Sequence, residues 1–420
     1  MQTHKMAHHG IAPIRINAPF ISVAAVFVEW FGFLKIKIIG VRFSEHNVNS
    51  CSRINLPRWG ASQHREIEKE SVTVISWPRD DRYKRDKQTW KMETDVTKME
   101  SYKIAPALQP DPGSCAFELD STLSSMVALQ TKVPDNAYTV QALGAERAGH
   151  GVVISDTGLV LTIGYLIVEA ESIWMVDHTG QAVAGHVAGY DQETGFGLVQ
   201  ALGRINAPAL PIGSAHDVNV GDPVIFAGHG GRTNSLSAVV AEKREFAGYW
   251  EYLLDEALFT EPPHPFWGGG ALIDTDGRLC GIGSLFVQMN PDEIGSFDGN
   301  MTVPIDILKP IMDDMTRFGR PQRPARPWIG ALSTEAKDHV IVVNTWDGGP
   351  ADKAGLQAGD LVIGVGGEPV ASLAQFYRCM WALGAAGVEV PLDIVRAGRV
   401  AAISIQSADR DAYHLAPKLH

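Results

Sequence analysis

Gly349-Pro-Ala-Asp-Lys-Ala-Gly-Leu-Gln-Ala-Gly-Asp-Leu-Val-Ile-Gly-Val-Gly-Gly-Glu-Pro-Val370 is the most telling stretch of this 420-residue chain. Pro350 suits the first turn of a short helix, where its missing N–H costs nothing. Gly355 lets the backbone leave that helix, and Gly359-Asp360 turns it into an apolar strand, Leu361 to Val365. Ala374 to Trp381 then carries a second helical pattern, and Val390 to Val395 and Ala401 to Ile405 read as closing strands. Residues 328–410 are therefore expected to form a small α+β domain, with a tail over 411–420.

Working backwards, Arg320-Pro-Gln-Arg-Pro-Ala-Arg-Pro327 reads as a stiff basic linker over 319–327. Pro304 to Phe318 has a helical stripe of Ile305, Leu308, Ile311, Met312 and Met315. Pro310 requires a kink there, or a regular helix that starts only at that point. Upstream, Phe117, Leu119 and Leu123 suggest a short helix before a strand at Met126–Gln130. From Gly149 to Val303 short apolar runs alternate with turn signals such as Asp156-Thr157-Gly158. Ten to twelve strands at this spacing point to a β-sandwich or barrel over residues 115–318.

The composition fits such a chain. Apolar residues are 45% and charged residues 20%, with 42 Gly and 24 Pro. The net charge of −12 is unevenly spread: residues 1–91 hold 15 Lys/Arg and 8 Asp/Glu, the remainder 21 and 40. An acidic body argues against nucleic acid as a partner, because phosphate contacts need clustered Lys and Arg. Residues 1–91 are expected to be a basic segment that is poorly structured, or translated from a start codon placed too far upstream, with Met92 and Met99 as alternative starts, and 92–114 a linker. Phe20 to Leu34 is short for a membrane span and contains Glu29, so no membrane association is expected. Cys51, Cys115, Cys280 and Cys379 form no C-x-x-C pair, so no metal site and no cofactor are expected. Such thiols favour a reducing compartment, and cytoplasmic residence is expected ahead of a periplasmic or N-terminally anchored one.

The stretch over 349–370 resembles the PDZ signature S-P-A-x-x-A-G-L-x-x-G-D-x-I-x-x-x-x-G. The resemblance implies a groove that takes an extended C-terminal peptide as an added strand. In the bacterial arrangement the loop that holds the terminal carboxylate opens the domain, and Trp328-Ile329-Gly330-Ala331 fits it. Ile329, Gly330 and Ala331 are the expected peptide-binding residues, with Arg326 adding long-range attraction.

The preceding domain resembles the trypsin-like double β-barrel of bacterial HtrA/Deg proteases. Gly149-His-Gly-Val-Val-Ile154 is similar to G-S-G-V-I-I, and Gly158-Leu-Val-Leu-Thr162 to the run before the catalytic histidine. Asp191 to Leu198 is similar to D-x-x-x-D-x-A-L, Ile212-Gly213-Ser214 to L-G-x-S, and Gly269 to Ile282 to the run after the catalytic serine. The expected fold class is thus mostly β, a trypsin-like double β-barrel followed by an α+β PDZ domain. The triad positions themselves depart from the family. Tyr165 stands for the histidine, Gly195 for the aspartate and Gly268 for the serine. Serine attack needs a base and an orienting carboxylate, and a phenol of ordinary pKa about 10 does not replace imidazole near pH 7. Phe266 and Gly268 would supply oxyanion-hole N–H groups. His264, His150, Ser214, Ser235 and Ser284 are the groups through which a displaced site could act.

Two functions follow. One is a non-catalytic protein that binds peptides or protein C-termini through the PDZ domain, alone, as a homo-oligomer, or with an active relative. The other is an active serine endopeptidase with displaced residues. Relatives trimerise through aromatic residues near the start of the barrel, where Phe117 is the candidate.

Overall fold

The computed structural model describes residues 26–29, 35–38, 102–289, 297–336 and 338–415. Strands β1 (Val26–Glu29) and β2 (Lys35–Ile38) pair antiparallel, with Val26 opposite Ile38. They belong to a separate unit of the chain. The remaining expectations for residues 1–101 lie outside the described residues.

The first barrel is built from β3 (Met126–Lys132), β4 (Glu146–Val153), β5 (Leu159–Ile163), β6 (Ser172–Val176), β7 (Ala182–Tyr190) and β8 (Phe196–Ala201), closed in the order β3-β4-β5-β8-β7-β6. Short helices α1 (Leu119–Leu123) and α2 (Val140–Leu143) flank β3. The second barrel comprises β9 (Pro223–Ala227), β10 (Ser235–Gly248), β11 (Tyr252–Glu261), β12 (Ala271–Ile273), β13 (Leu279–Met289) and β14 (Phe297–Pro304). It closes as β10-β11-β14-β13-β12-β9. Closure leaves no unpaired edge in either sheet, which suits many short strands of alternating polarity. One apolar cluster runs through both barrels and includes Leu129, Leu161, Phe196, Phe259, Ile282 and Val303.

Residues 304–318 take the second of the two forms expected for them. Ile305–Ile307 is a 3-10 turn, and the regular helix α3 starts at Met312 and ends at Phe318. Pro310 has no N–H to continue a helix through it. Gly319, at φ 77°, stops α3 in the left-handed conformation that glycine favours.

The C-terminal domain has the sheet order β15 (Ala331–Ala336), β16 (His339–Thr345), β17 (Leu361–Val365), β19 (Glu389–Arg396), β20 (Arg399–Gln406), with β18 (Glu368–Pro369) beside β17. Helices α4 (Pro350–Lys353) and α5 (Leu373–Ala382) cover it. Its core gathers Val340, Val362, Phe376, Tyr377, Leu392 and Ile405, and also Leu253 from β11 of the second barrel. β15 is the terminal strand of this sheet, so one of its edges is left for another segment.

Candidate functional site: a closed cleft and an occupied groove

The three positions that sequence reasoning assigns to the triad come together between the barrels. Tyr165 sits in the 3-10 turn Gly164–Leu166 that follows β5. Gly164 donates its N–H to the carbonyl of Gly195 at 2.7 Å. A Cβ on Gly164 would lie 2.1 Å from the Tyr190 ring, so this turn needs a glycine. Tyr165 reaches across the cleft and its hydroxyl donates to the carbonyl of Ser284 in β13 at 2.9 Å. The indole of Trp267 hydrogen-bonds the same phenol. Burial holds the phenol above its ordinary range. A Cβ on Gly268 would stand 2.9 Å from the Tyr165 hydroxyl. Gly195 adopts φ 83°, and a Cβ there would lie 3.1 Å from the Tyr252 hydroxyl. The three positions thus carry a phenol and two glycines, with no imidazole or carboxylate side chain.

The other candidate groups are engaged in holding the barrels together. His264 is fully buried; its Nδ1 lies 3.1 Å from the Phe266 N–H and 2.9 Å from the Phe266 carbonyl, and its Nε2 lies 3.2 Å from the carbonyl of Asn234. Burial lowers this imidazole to about 4, so it is neutral at physiological pH. The Phe266 N–H, assigned by sequence to the oxyanion hole, is thus directed inward to His264, while the Gly268 carbonyl accepts from the His150 N–H at 2.8 Å. His150 is buried too, and its Nδ1 accepts from the His229 N–H at 3.1 Å. Ser214 donates to Asp306 at 2.8 Å and Ser235 to the carbonyl of Gly231 at 2.9 Å. Ser284 contributes the carbonyl that receives Tyr165. Phe117, ahead of the first barrel, lies over Gly277 in the β12–β13 turn of the second, where a Cβ would meet its ring at 2.6 Å. Among the described residues, no group of three or more His, Cys, Asp or Glu side chains is placed to hold a metal ion.

The second site is the loop Trp328–Ala331. Gly330 has φ 76°, and a Cβ there would lie 3.0 Å from the Trp328 ring. Its neighbours point their N–H groups at a carboxylate, but the carboxylate is internal. Ile329 donates to Glu251 Oε2 at 3.0 Å and Ala331 to Glu251 Oε1 at 2.8 Å, with a further backbone bond from Gly330. Glu251 ends the three-residue turn between β10 and β11, whose last pair is Gly248 with Tyr252. From the same turn the carbonyl of Tyr249 accepts the Ser333 N–H of β15 at 2.9 Å. Tyr377 of α5 donates its hydroxyl to the Gly248 carbonyl at 2.8 Å and receives the Glu251 N–H at 3.3 Å.

Sequence reasoning did not single out Glu251 or Tyr249. One signal was available. Glu251 has φ 59°, a conformation usually left to Gly or Asn in a hairpin turn, and Tyr249-Trp250-Glu251 contains neither. Arg326 also has partners: Glu193 at 2.9 Å and the Trp381 ring, with its guanidinium 4.2 Å from the centroid. Arg323 binds both carboxylate oxygens of Asp191, at 3.0 and 2.9 Å, and Glu193 at 3.2 Å, fastening the linker to the first barrel.

Comparison with known proteins agrees with this architecture. Residues 149–282 match the trypsin-like peptidase domain family and residues 327–406 the PDZ domain family. A probable periplasmic serine endoprotease, DegP-like, of Pseudomonas putida (strain W619) is 25% identical over 274 residues, covering 61% of this chain and 54% of the relative. Serine endoprotease DegS of Haemophilus influenzae is 27% identical over 229 residues, 53% of this chain and 65% of the relative. The chain thus spans little more than half the length of the Pseudomonas relatives it matches. Among solved structures, the HtrA-type protease AlgW with decapeptide is 16% identical with a TM-score of 0.43, covering 70% of this chain and 97% of that one. The serine endoprotease from Yersinia pestis is 23% identical with a TM-score of 0.42, covering 71% and 97%.

Proposed function

We propose that this chain, which carries a trypsin-like protease domain and a PDZ domain of HtrA/DegP type, is a non-catalytic peptide-binding protein. The observation that carries the reading is the Tyr165 hydroxyl, 2.9 Å from where a side chain on residue 268 would begin. Acyl transfer by this fold needs a nucleophile, a base beside it and donors aimed at the developing oxyanion. Here the nucleophile position is glycine, the base position is a phenol bonded to Ser284, and the Phe266 N–H is turned towards His264. His264 and His150 are buried, His150 accepting the His229 N–H on Nδ1, and neither Ser214 nor Ser235 donates to them.

The remaining capacity for recognition is the PDZ groove, formed by the edge strand β15, helix α5 and the loop over Trp328–Ala331. Its ligands are polypeptide C-termini, read by backbone N–H groups and by strand addition. The relatives are named proteases, so the direct test is turnover. Purified full-length protein incubated with unfolded casein should release no acid-soluble peptides above a buffer control. Cleavage that survives purification and is lost on replacing His264 or Ser284 would establish a displaced active site instead.

A further inference from the structure

We infer that Tyr249–Glu251, the tip of the β10–β11 hairpin, is a built-in ligand of the PDZ groove that an incoming C-terminus must displace. The inference rests on the peptide-binding reading of the groove and adds how that groove is regulated.

Three features of a bound C-terminal peptide are reproduced by this turn. The first is the carboxylate: both Glu251 oxygens are clamped by the N–H groups of Ile329 and Ala331, at 3.0 and 2.8 Å. The second is strand addition. Ala331 pairs with the Glu251 side chain and Ser333, two residues along β15, with the carbonyl of Tyr249, two residues back in the turn. The occupant therefore runs antiparallel to β15, with its carboxylate at the loop end. The third is the far wall of the groove, where the Tyr377 hydroxyl of α5 binds the Gly248 carbonyl at 2.8 Å.

The turn is built so that only docking justifies its conformation. A non-glycine residue at φ 59° is strained, and a carboxylate 7% exposed has lost most of its water. Arg410 steadies the turn from outside through the Trp250 carbonyl at 3.2 Å. Once another carboxylate takes the loop, strain and burial both favour release of the hairpin. Because the turn is part of the same chain, it competes at a high effective concentration whatever the protein concentration.

The experiment compares full-length parent and Glu251→Gly, since glycine accepts the left-handed backbone and removes only the carboxylate side chain. Two readouts are taken: hydrogen exchange at the amides of Ile329, Ala331 and Ser333, and anisotropy of a short fluorescent peptide ending in a hydrophobic residue with a free carboxylate. The expected result is exchange at least about tenfold faster in the variant and peptide affinity at least about tenfold higher. The C-terminally amidated peptide should bind neither protein. Glu251→Gln, which keeps the side chain's size but sets an amide NH2 against one of the two N–H donors, should move both readouts the same way by a smaller factor and serves if the glycine variant does not fold. Unchanged exchange in a folded variant overturns the inference, whether or not peptide binds. Faster exchange with no peptide binding leaves the built-in ligand standing and removes the peptide-binding reading instead.

Discussion

The hydroxyl of Tyr165 lies 2.9 Å from the point where a Cβ on Gly268 would sit, so the tyrosine occupies the space that a side chain at residue 268 would need. Residue 165 lies on the first barrel, residue 268 on the loop before β12 of the second, and the tyrosine spans the gap to Ser284.

Placing a serine at residue 268 alone should therefore destabilise the protein. Gly268→Ser is expected to cost about 1–3 kcal/mol in urea denaturation, the usual range for overpacking a filled site. Adding Tyr165→His removes the obstructing hydroxyl, so the double variant should be more stable than the sum of the single changes implies, with a coupling of about 0.5–3 kcal/mol. Strict additivity would mean that the two residues do not compete for the same space.

Gly330→Val should abolish peptide binding while leaving the barrels folded. The residue sits at φ 76° with the Trp328 ring 3.0 Å from its missing Cβ, so valine strains the loop by about 1–3 kcal/mol and misaligns the N–H groups on either side. Titration calorimetry with the free-carboxylate peptide should lose its heat. An affinity within twofold of that of the parent would show that the loop does not hold the ligand.

Peptide affinity of the parent should rise between about pH 5 and pH 7.5. Burial pushes the Glu251 carboxyl up from its ordinary 4.5 to about 7, against the opposing pull of the Ile329 and Ala331 N–H groups, Arg410 and the Gly330 N–H. Tyr377 and Tyr138 also face it and stay neutral over this range, both raised by burial. A carboxyl raised in the docked state binds more proton there, so docking is strongest below about pH 4.5 and weakens as pH climbs to about 7. A peptide terminus, with pKa about 3.5, is ionised throughout and gains as its competitor weakens. Glu251→Gly should show a flat profile; an equal slope in both proteins would assign the effect to another group.

Acid should act on the barrels in the opposite sense. Burial lowers His264 from an ordinary 6.5 to about 4, and His150 is also held well below its ordinary value, so the unfolded chain takes up more protons in this window. Stability contributed by these neutral imidazoles is complete above about pH 6.5 and is lost as pH falls towards about 4. His264→Gln should flatten that fall in urea midpoints measured at several pH values. It should also cost about 1–3 kcal/mol near neutrality, because the Phe266 N–H loses its acceptor.

Much of this was legible in the chain because it is written locally. Glycine-marked turns such as Asp156-Thr157-Gly158 and Gly359-Asp360 delimit strands that the structure pairs, and the flanks of the triad positions carry the family resemblance independently of the triad. What the sequence did not disclose depends on long-range encounters. Tyr165 finds Ser284 at a separation of 119 residues, and Ile329 finds Glu251 at 78. No periodicity links such partners. Arg326 illustrates the same point: its position before the loop suggested a free cation, but folding sets Glu193 and the Trp381 ring against it.

Labelling with a fluorophosphonate probe tests the central claim most directly, because the probe modifies only a serine activated by a neighbouring base. Purified full-length protein should remain unlabelled at probe concentrations that saturate an active serine protease run alongside it. Stoichiometric labelling of one serine in the folded protein, abolished by heat denaturation, would contradict the account and place a working nucleophile somewhere other than residue 268.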